Sequence, residues 1–599
     1  MSMQDFQTSK CSHLIHIPFA LCWSEDNMVA LATDKGVYIS VSNTRVMSQA
    51  KSITLVIALV VFSSCGVYCS DITPSVFGSQ TDGLPAAFGD FNSDEYPDLF
   101  VIKNNQRTVE ILLGSDTEPL LRHDPKLKCH FDRDITSVVP GDFDGDGLLD
   151  VMLTVLDKNG ETNTVHILWG GLDHLNCSDK NKEYLRLKGQ PLALDYNQDM
   201  IIDLFGPSVT GDRCFWLFNT SRSQPTKINM LQNVNQIYDE LRIPHSHAFL
   251  DLDGDSLTDL YVTTLSHFEI WLWDRESGFH TNCSNSSIYV YSAGKWYNAK
   301  VNFHDGGSVW GFVPPEKGQL FSDTITLRGG DFNMDGFPDM LATLQNGVGQ
   351  RRTFLLENAE CIVNCDGFSR TFTVKWTALS PYNNNTIMGV FYDFSQDGVL
   401  DIIFVKNKPK MNASAFKNSL DYDANFIKVM VLTGLTNKEH PVVPTPLGKK
   451  RRTYGTSIPG PMISYKTTTQ EGIPRAAVSS QLPQSAYFSL HLPYTLFGLG
   501  RTPNFVDTLT AGVAGYNRSW TQIIPNSQMV VIPSPGGPTS KWTAQLFVTP
   551  SKLIVQSVVA LLGTCLLISL IIVVLYWKER REDHFEKLQE AHRFHFDAM

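Results

Sequence analysis

The stretch GDFDGDGLLD (141–150) places Asp142, Asp144, Asp146 and Asp150 on a short glycine-bearing turn. Carboxylates held about 5 Å apart repel by roughly 3 kcal/mol per pair at an effective dielectric near 20. A cation must offset that. A hard divalent ion taking six to eight oxygen ligands suits the pattern, and calcium tolerates irregular geometry better than magnesium. D-x-D-x-D-G also opens an EF-hand, which needs a bidentate Glu at position 12 on a following helix. Position 12 here is Leu153, and the flanks TSVVPG and VMLT are apolar and β-rich. The site is therefore read as strand–loop–strand.

The pattern repeats as DFNSDEYPD (90–98), DFDGDGLLD (142–150), DYNQDMIID (195–203), DLDGDSLTD (251–259), DFNMDGFPD (331–339) and DFSQDGVLD (393–401). Every copy has Asp at positions 1, 5 and 9, and Asp, Asn or Ser at position 3. Solvated turns have no reason to keep such spacing. Side chains at 1, 3, 5 and 9 with the carbonyl at 7 make up each expected calcium set. The first is Asp90, Asn92, Asp94, Tyr96 and Asp98, and the second is Asp142, Asp144, Asp146, Leu148 and Asp150. Asp195, Asn197, Asp199, Ile201 and Asp203 form the third, and Asp251, Asp253, Asp255, Leu257 and Asp259 the fourth. The fifth comprises Asp331, Asn333, Asp335, Phe337 and Asp339; the sixth, Asp393, Ser395, Asp397, Val399 and Asp401. Ser395 is a neutral, shorter ligand, so the sixth loop is expected to be weakest.

Stepping from start to start (90, 142, 195, 251, 331, 393) gives 52, 53, 56, 80 and 62 residues. That period fits a four-stranded blade with its connections. The long step holds WYNAKVNFHDGGSVWGF (296–312), read as a degenerate blade. The expected fold is all-β: a seven-bladed propeller over 70–450, one blade degenerate. The β-rich remainder, with AYFSLHL, FVDTLTAGV, QMVVIP and WTAQLFV as strand candidates, is expected to form a β-sandwich over 451–545. The basic GKKRR (448–452) marks the join, either as a solvated linker or as a cleavage site.

Two apolar segments set topology. KSITLVIALVVFSSCGVYCSD has a Lys, about ten apolar residues and then small residues, which is a secretory signal shape. Residues 47–69 are read as that signal and 1–46 as an upstream leader extension, with a signal anchor as the alternative. LIVQSVVALLGTCLLISLIIVVLYW (553–577) is long and apolar enough to span a bilayer. Lys578, Arg580 and Arg581 follow it and only Lys552 precedes it, which puts the tail 578–599 in the cytosol. The expectation is a single-pass type I protein of the plasma membrane, with an extracellular ectodomain and a shed form as a variant.

Six cysteines lie between these segments, and six allow fifteen pairings; Cys361 and Cys365 are close enough in sequence to be read as a local disulfide. Seven sequons (Asn176, Asn219, Asn282, Asn285, Asn384, Asn412, Asn517) all fall in the same interval, as expected for a glycosylated ectodomain. A net charge of −12 argues against a nucleic-acid partner. No HExxH or GxSxG appears. His245 and His247 in PHSHAF share one strand face and could bind metal together, although a structural role is the better reading. The protein is read as no enzyme.

The repeated strand–DxDxD–strand unit resembles the FG-GAP repeat of integrin α-subunit propellers, whose hairpin loops bind calcium. With RIPHSHAFLDL (242–252), QLPQSAYFSLHLPYTLFGLGRTPNFVD (481–507), IIPNSQMVVIP (523–533), one membrane span and the ending EAHRFHFDAM, the chain from about residue 71 is similar to the T-cell immunomodulatory protein, or LINKIN, family. It departs from it in 260–330, where a further DxDxDG loop is missing. The resemblance implies cell-surface adhesion or signalling, modulation of T cells, and cytosolic links to RuvB-like AAA+ ATPases and tubulin. Phe585, Leu588, Phe594 and Phe596 are apolar handles on the tail. The propeller's loop face is expected to engage an extracellular protein ligand. A lumenal enzyme or a glycan-binding lectin is the competing class.

Overall fold

The computed structural model describes residues 22–23, 28–32, 69–548 and 552–596, less 172, 231–238, 273–274, 280–286, 293–294, 314–326, 363–364, 366–368, 408–409, 420–423, 436–442, 445–449, 452–453, 470, 485–486 and 502–503. Residues 47–68 of the expected signal, and the sequons Asn282 and Asn285, lie outside them.

Each motif copy sits on the first hairpin of its own antiparallel sheet. The residue before position 1 always pairs with the Asp at position 9: Gly89 with Asp98, Gly141 with Asp150, Leu194 with Asp203, Leu250 with Asp259, Gly330 with Asp339 and Tyr392 with Asp401. The second strands, such as Asp98–Lys103 and Asp150–Leu156, are buried along almost their whole length. That is why they read as apolar runs rather than as an alternation: each is covered on both faces by neighbouring blades.

Four sheets are plain four-stranded blades in chain order, from Leu84–Gly89 through Arg275–Phe279. The sixth motif blade has strands Thr386–Tyr392, Asp401–Asn407 and Met411–Asn418, and its outer strand is Cys69–Asp71 from the far end of the chain. The ring is thereby closed. Residues of the first two and the last motif blades share one core, including Phe88, Leu99, Leu153, Val390, Ile403 and Ala415. The Tyr392 hydroxyl donates to the Pro97 carbonyl at 2.5 Å across that seam.

The interval expected to hold a degenerate blade contributes two hairpins among the described residues, Ser287–Ser292 with Lys295–Asn298 and His304–Asp305 with Ser308–Phe312. Trp310–Phe312 pairs onto the fifth motif sheet. Six motif blades are thus observed, and the seventh stands as an expectation. Upstream, Met28–Ala32 runs parallel to Ser287–Ser292 and pairs with Cys22–Trp23. N-terminal sequencing of the mature protein decides whether residues 1–46 are a leader.

After the sixth motif blade the chain forms a sandwich of two four-stranded sheets. One contains Met462–Thr468, Pro474–Ser480, Val506–Val513 and Tyr516–Ile523. The other contains Asn425–Val431, Thr495–Gly500, Ser527–Ile532 and Thr543–Val548. Ile427, Val429, Tyr465, Leu509, Val531 and Trp542 lie in the core between them. Asn425–Val431 lies upstream of the join read at GKKRR, so the sandwich takes its first strand from before residue 451; Lys450–Arg451 instead pairs with Val443–Pro444.

The described residues of AYFSLHL, 487–492, form no strand. Tyr487, Phe488 and Leu490 all have φ between 53° and 58°, left-handed backbone that breaks a β-ladder. The apolar alternation there serves a different burial. Gln484 Oε1 accepts from Phe88 N at 3.0 Å, Gln190 Oε1 accepts from Tyr487 N at 2.6 Å, and Arg328 donates to the Phe488 carbonyl at 2.7 Å. Phe88 and Arg328 lie on first strands of their blades, and Gln190 lies just before another. The described residues of 481–484 and 487–493 therefore fill the axis of the ring. Gln481 anchors it in the sandwich through the Val431 and Ile458 carbonyls.

A separate compact unit follows from Val548. Lys552–Phe596 is a single helix whose apolar part is long enough to cross a membrane.

Candidate metal centres

The six loops share one hydrogen-bond scheme. The carboxylate at position 9 is buried in every copy. Its Oδ2 accepts the amide of position 2: Phe91 at 2.6 Å, Phe143 at 3.0, Tyr196 at 3.1, Leu252 at 2.8, Phe332 at 3.1 and Phe394 at 3.3. In five copies its Oδ1 also accepts an amide close to the end of the third strand, from Gly114, Gly170, Phe218, Asn358 or Asn418. Position 9 therefore clasps the loop to the blade. Position 1 accepts the amide of position 6, and position 5 that of position 7, at 2.7 to 3.2 Å in all six.

These bonds require left-handed backbone at positions 4 and 6. Gly145, Gly147, Gly254, Gly336 and Gly398 supply it without cost. Ser93, Glu95, Gln198, Met200, Ser256, Met334 and Gln396 adopt it at φ of 52° to 70°. The shared conformation, not the glycine, is what the six copies have in common.

The scheme turns the carboxylates inward. Ligand atoms of Asp142, Asp144 and Asp146 lie within 4.8 Å of one another, as do those of Asp251, Asp253 and Asp259. Burial, then neighbouring carboxylates, raises these groups: Asp142 to about 8 and Asp150 well above the usual range. Burial likewise takes Asp195 and Asp331 to about 7, Asp203 and Asp339 to about 8, and Asp251 to about 6. Asp98 also rises well above the usual range through burial and the Asp94 and Asp90 charges. Such clusters are stable at neutral pH only with a proton or a cation among them, and an all-oxygen donor set fits a hard cation such as calcium.

The loops differ at position 3. Where it is Asn, its amide donates to the position 5 carboxylate: Asn92 to Asp94 at 3.0 Å, Asn197 to Asp199 at 2.8 and Asn333 to Asp335 at 3.3. In the second loop, position 3 is Asp144. Arg222 from the next blade bridges Asp144 Oδ2 and Asp146 Oδ2, the latter at 3.2 Å. Ser395 in the sixth loop receives Lys417 Nζ at 3.2 Å.

Four loops lie beneath the sandwich. Gly498 N donates to Asp331 Oδ2 at 3.1 Å, Gly500 N to the Met334 carbonyl at 3.1 Å, and Arg475 to the Asp335 carbonyl. Gly515 N donates to the Ser256 carbonyl at 2.9 Å. Lys428 reaches Gln396, and Met200 enters the sandwich core. The expected loop face is therefore met by the sandwich at four loops, while Asn197, Asp199, Asp253 and Asp255 stay exposed. No local pattern marked Arg222, Arg475, Lys428 or Gly498, because each acts on a loop far away in sequence.

His245 and His247 stack at 3.9 Å in the interior. His245 Nε2 donates to the Gln190 carbonyl at 2.7 Å, its Nδ1 accepts His247 N, and His247 Nδ1 accepts Thr263 N at 3.0 Å. With those lone pairs used by backbone amides, the pair is structural. Cys361–Cys365 is bonded as expected, and a second disulfide, Cys129–Cys177, ties the first motif blade to the second. Of the described sequons, Asn219, Asn412 and Asn517 are exposed, while Asn176 and Asn384 are half-buried.

Comparison with known proteins agrees with this architecture. Residues 90–153 match the FG-GAP-like repeat, and 453–547 match the family described as ITFG1, C2 domain. The chain is similar to the T-cell immunomodulatory protein of Homo sapiens, 36% identical over 88% of this chain and 94% of that one. It is similar to Protein linkin of Caenorhabditis elegans at 27%, covering 86% and 95%. A T-cell immunomodulatory protein homolog of Plasmodium falciparum is 26% identical, covering 85% and 87%.

Proposed function

Because the chain belongs to the T-cell immunomodulatory protein family, we propose that it is a non-enzymatic, single-pass receptor of the plasma membrane, with a calcium-braced ectodomain that binds an extracellular protein and a short tail that docks cytosolic partners. A role in modulating T cells comes from the relatives' name. The observation that carries the reading is the contact of four motif loops with the sandwich. Calcium bound there through the side chains at positions 1, 3, 5 and 9 and the carbonyl at 7 would brace the loops and the joint between the two folds, and would have little room for a substrate.

The same observation moves the ligand surface. With four loops met by the sandwich and the axis filled, the partner is proposed to meet the opposite face of the ring, where turns such as 104–106 and 346–350 project and Val348 is exposed. Aromatic and Arg anchors usually dominate such contacts. The tail is proposed to order on its partners, of which RuvB-like ATPases and tubulin are those the family resemblance suggests.

The test pairs surface biotinylation with a tail deletion. The intact protein should be labelled from outside the cell, and deletion of 578–599 should keep surface display while abolishing recovery of cytosolic partners. Exclusive intracellular retention with binding on a glycan array would favour the lumenal lectin instead.

A further inference from the structure

The second motif loop differs from the Asn-bearing loops in what joins positions 3 and 5. There the Asn amide bonds the neighbouring carboxylate directly. Here two carboxylates face one another, and the Arg222 guanidinium holds both Oδ2 atoms through Nε and Nη2. The Oδ1 atoms of Asp144 and Asp146 already accept the amides of Asp146 and Leu148, at 3.0 and 2.8 Å. Arg222 thus occupies the oxygens a divalent ion would need.

The arginine is held as well as holding. Its guanidinium lies 4.6 Å above the buried Trp169 ring, a favourable cation–π position. Its backbone is left-handed at φ 51°, and its carbonyl accepts Lys182 Nζ at 2.7 Å. The turn that carries it begins at Phe218, whose amide is bonded to Asp203, the clasp of the third loop. The cation in one blade's loop is therefore supplied by the next blade's turn.

We propose that the second motif loop is an exchange site: Arg222 is its resident cation when calcium is scarce, and a calcium ion entering Asp142, Asp144 and Asp146 displaces Arg222 and releases the turn 218–223. Two positive groups on one pair of oxygens repel, so occupancy is alternative rather than joint. No bond is made or broken; one cation replaces another. The turn also bears the exposed sequon Asn219, so the exchange is presented at the surface. The inference rests on reading the motif loops as calcium sites.

The test uses full-length protein in detergent micelles, titrated with calcium alone. In the wild type, calcium should raise hydrogen exchange at 218–223 and change the emission contributed by Trp169, isolated as the difference from W169F. In R222Q, one site should tighten by roughly tenfold, since a bidentate charged competitor is gone. The Trp169-dependent change should vanish, and R222K, which keeps charge without the fork, should fall between. Arg222 is 43% exposed, so the packing R222Q removes is its contact with Trp169. Calcium bound at normal stoichiometry with unaltered exchange at 218–223, and an R222Q isotherm matching the wild type, overturns the exchange and leaves the calcium reading intact. No bound calcium in either protein overturns both.

Discussion

The amide of Gly498 donates to Oδ2 of Asp331 at 3.1 Å, joining a sandwich strand to the first carboxylate of a propeller loop 167 residues earlier. A Cβ at 498 would overlap that same oxygen and the Met334 backbone. Gly498→Ala is expected to destabilise the ectodomain by about 1–3 kcal/mol through overpacking. Thermal melting checks it; an unchanged midpoint would mean that the two folds do not press together at this loop.

Positions 5 and 9 should separate by their response to calcium. Asp98 is buried and accepts two backbone amides, so Asp98→Asn should cost about 1–3 kcal/mol with or without the ion. Asp94→Asn should cost mainly in its presence. Chelation of the wild type should lower its melting point, since each site filled at a hundredfold above Kd adds about 2.7 kcal/mol. Melting with and without EGTA for the three proteins decides; identical losses for both variants would refute the division of labour.

The axial segment should be a keystone rather than an accessory. Phe488 is 1% exposed and packs in the core shared by the first two and the last motif blades. Phe488→Ala should cost about 3–5 kcal/mol. Denaturant unfolding should show the propeller and sandwich losing stability together, and a loss confined to the sandwich would argue that the segment merely rests on the axis.

Acid should weaken the ectodomain before its surface carboxylates titrate. Burial lowers His245 to about 4 and takes His247 well below its ordinary 6.5, with His245 and Arg213 adding to the shift at His247. Between about pH 6.5 and 4 the unfolded chain binds more protons at these rings, so stability rises with pH across that window and is fully present above it. For His245 the shift corresponds to about 3 kcal/mol. Urea unfolding at saturating calcium, from pH 7.5 to 5, should show the decline, and His245→Phe should flatten it. A profile level from 7.5 to 5 would mean that the rings take up protons as readily in the fold as in the unfolded chain.

The sequence by itself determined the six motif loops, the apolar strands flanking them, the local Cys361–Cys365 bond and the C-terminal helix, and it pointed to calcium, which the chelation experiment tests. All of these rest on neighbours within a dozen or so residues: carboxylates at alternate positions, apolar runs, a stretch of hydrophobic residues. Even so, only the structure showed that positions 4 and 6 share one left-handed backbone, because Glu95 and Met200 adopt what glycine adopts elsewhere. Tertiary structure alone decided the remainder. Cys69–Asp71 closes the ring by pairing with Asn418, Lys417 and Phe416. Tyr487 and Phe488 leave the strand that their alternation suggests because the ring's axis offers deeper burial. Arg222 and Gly498 find Asp144 and Asp331 only after the blades have assembled. Local spacing encodes what a turn can bind; which distant group arrives to cover it depends on how the blades pack, and short-range pattern carries no record of that.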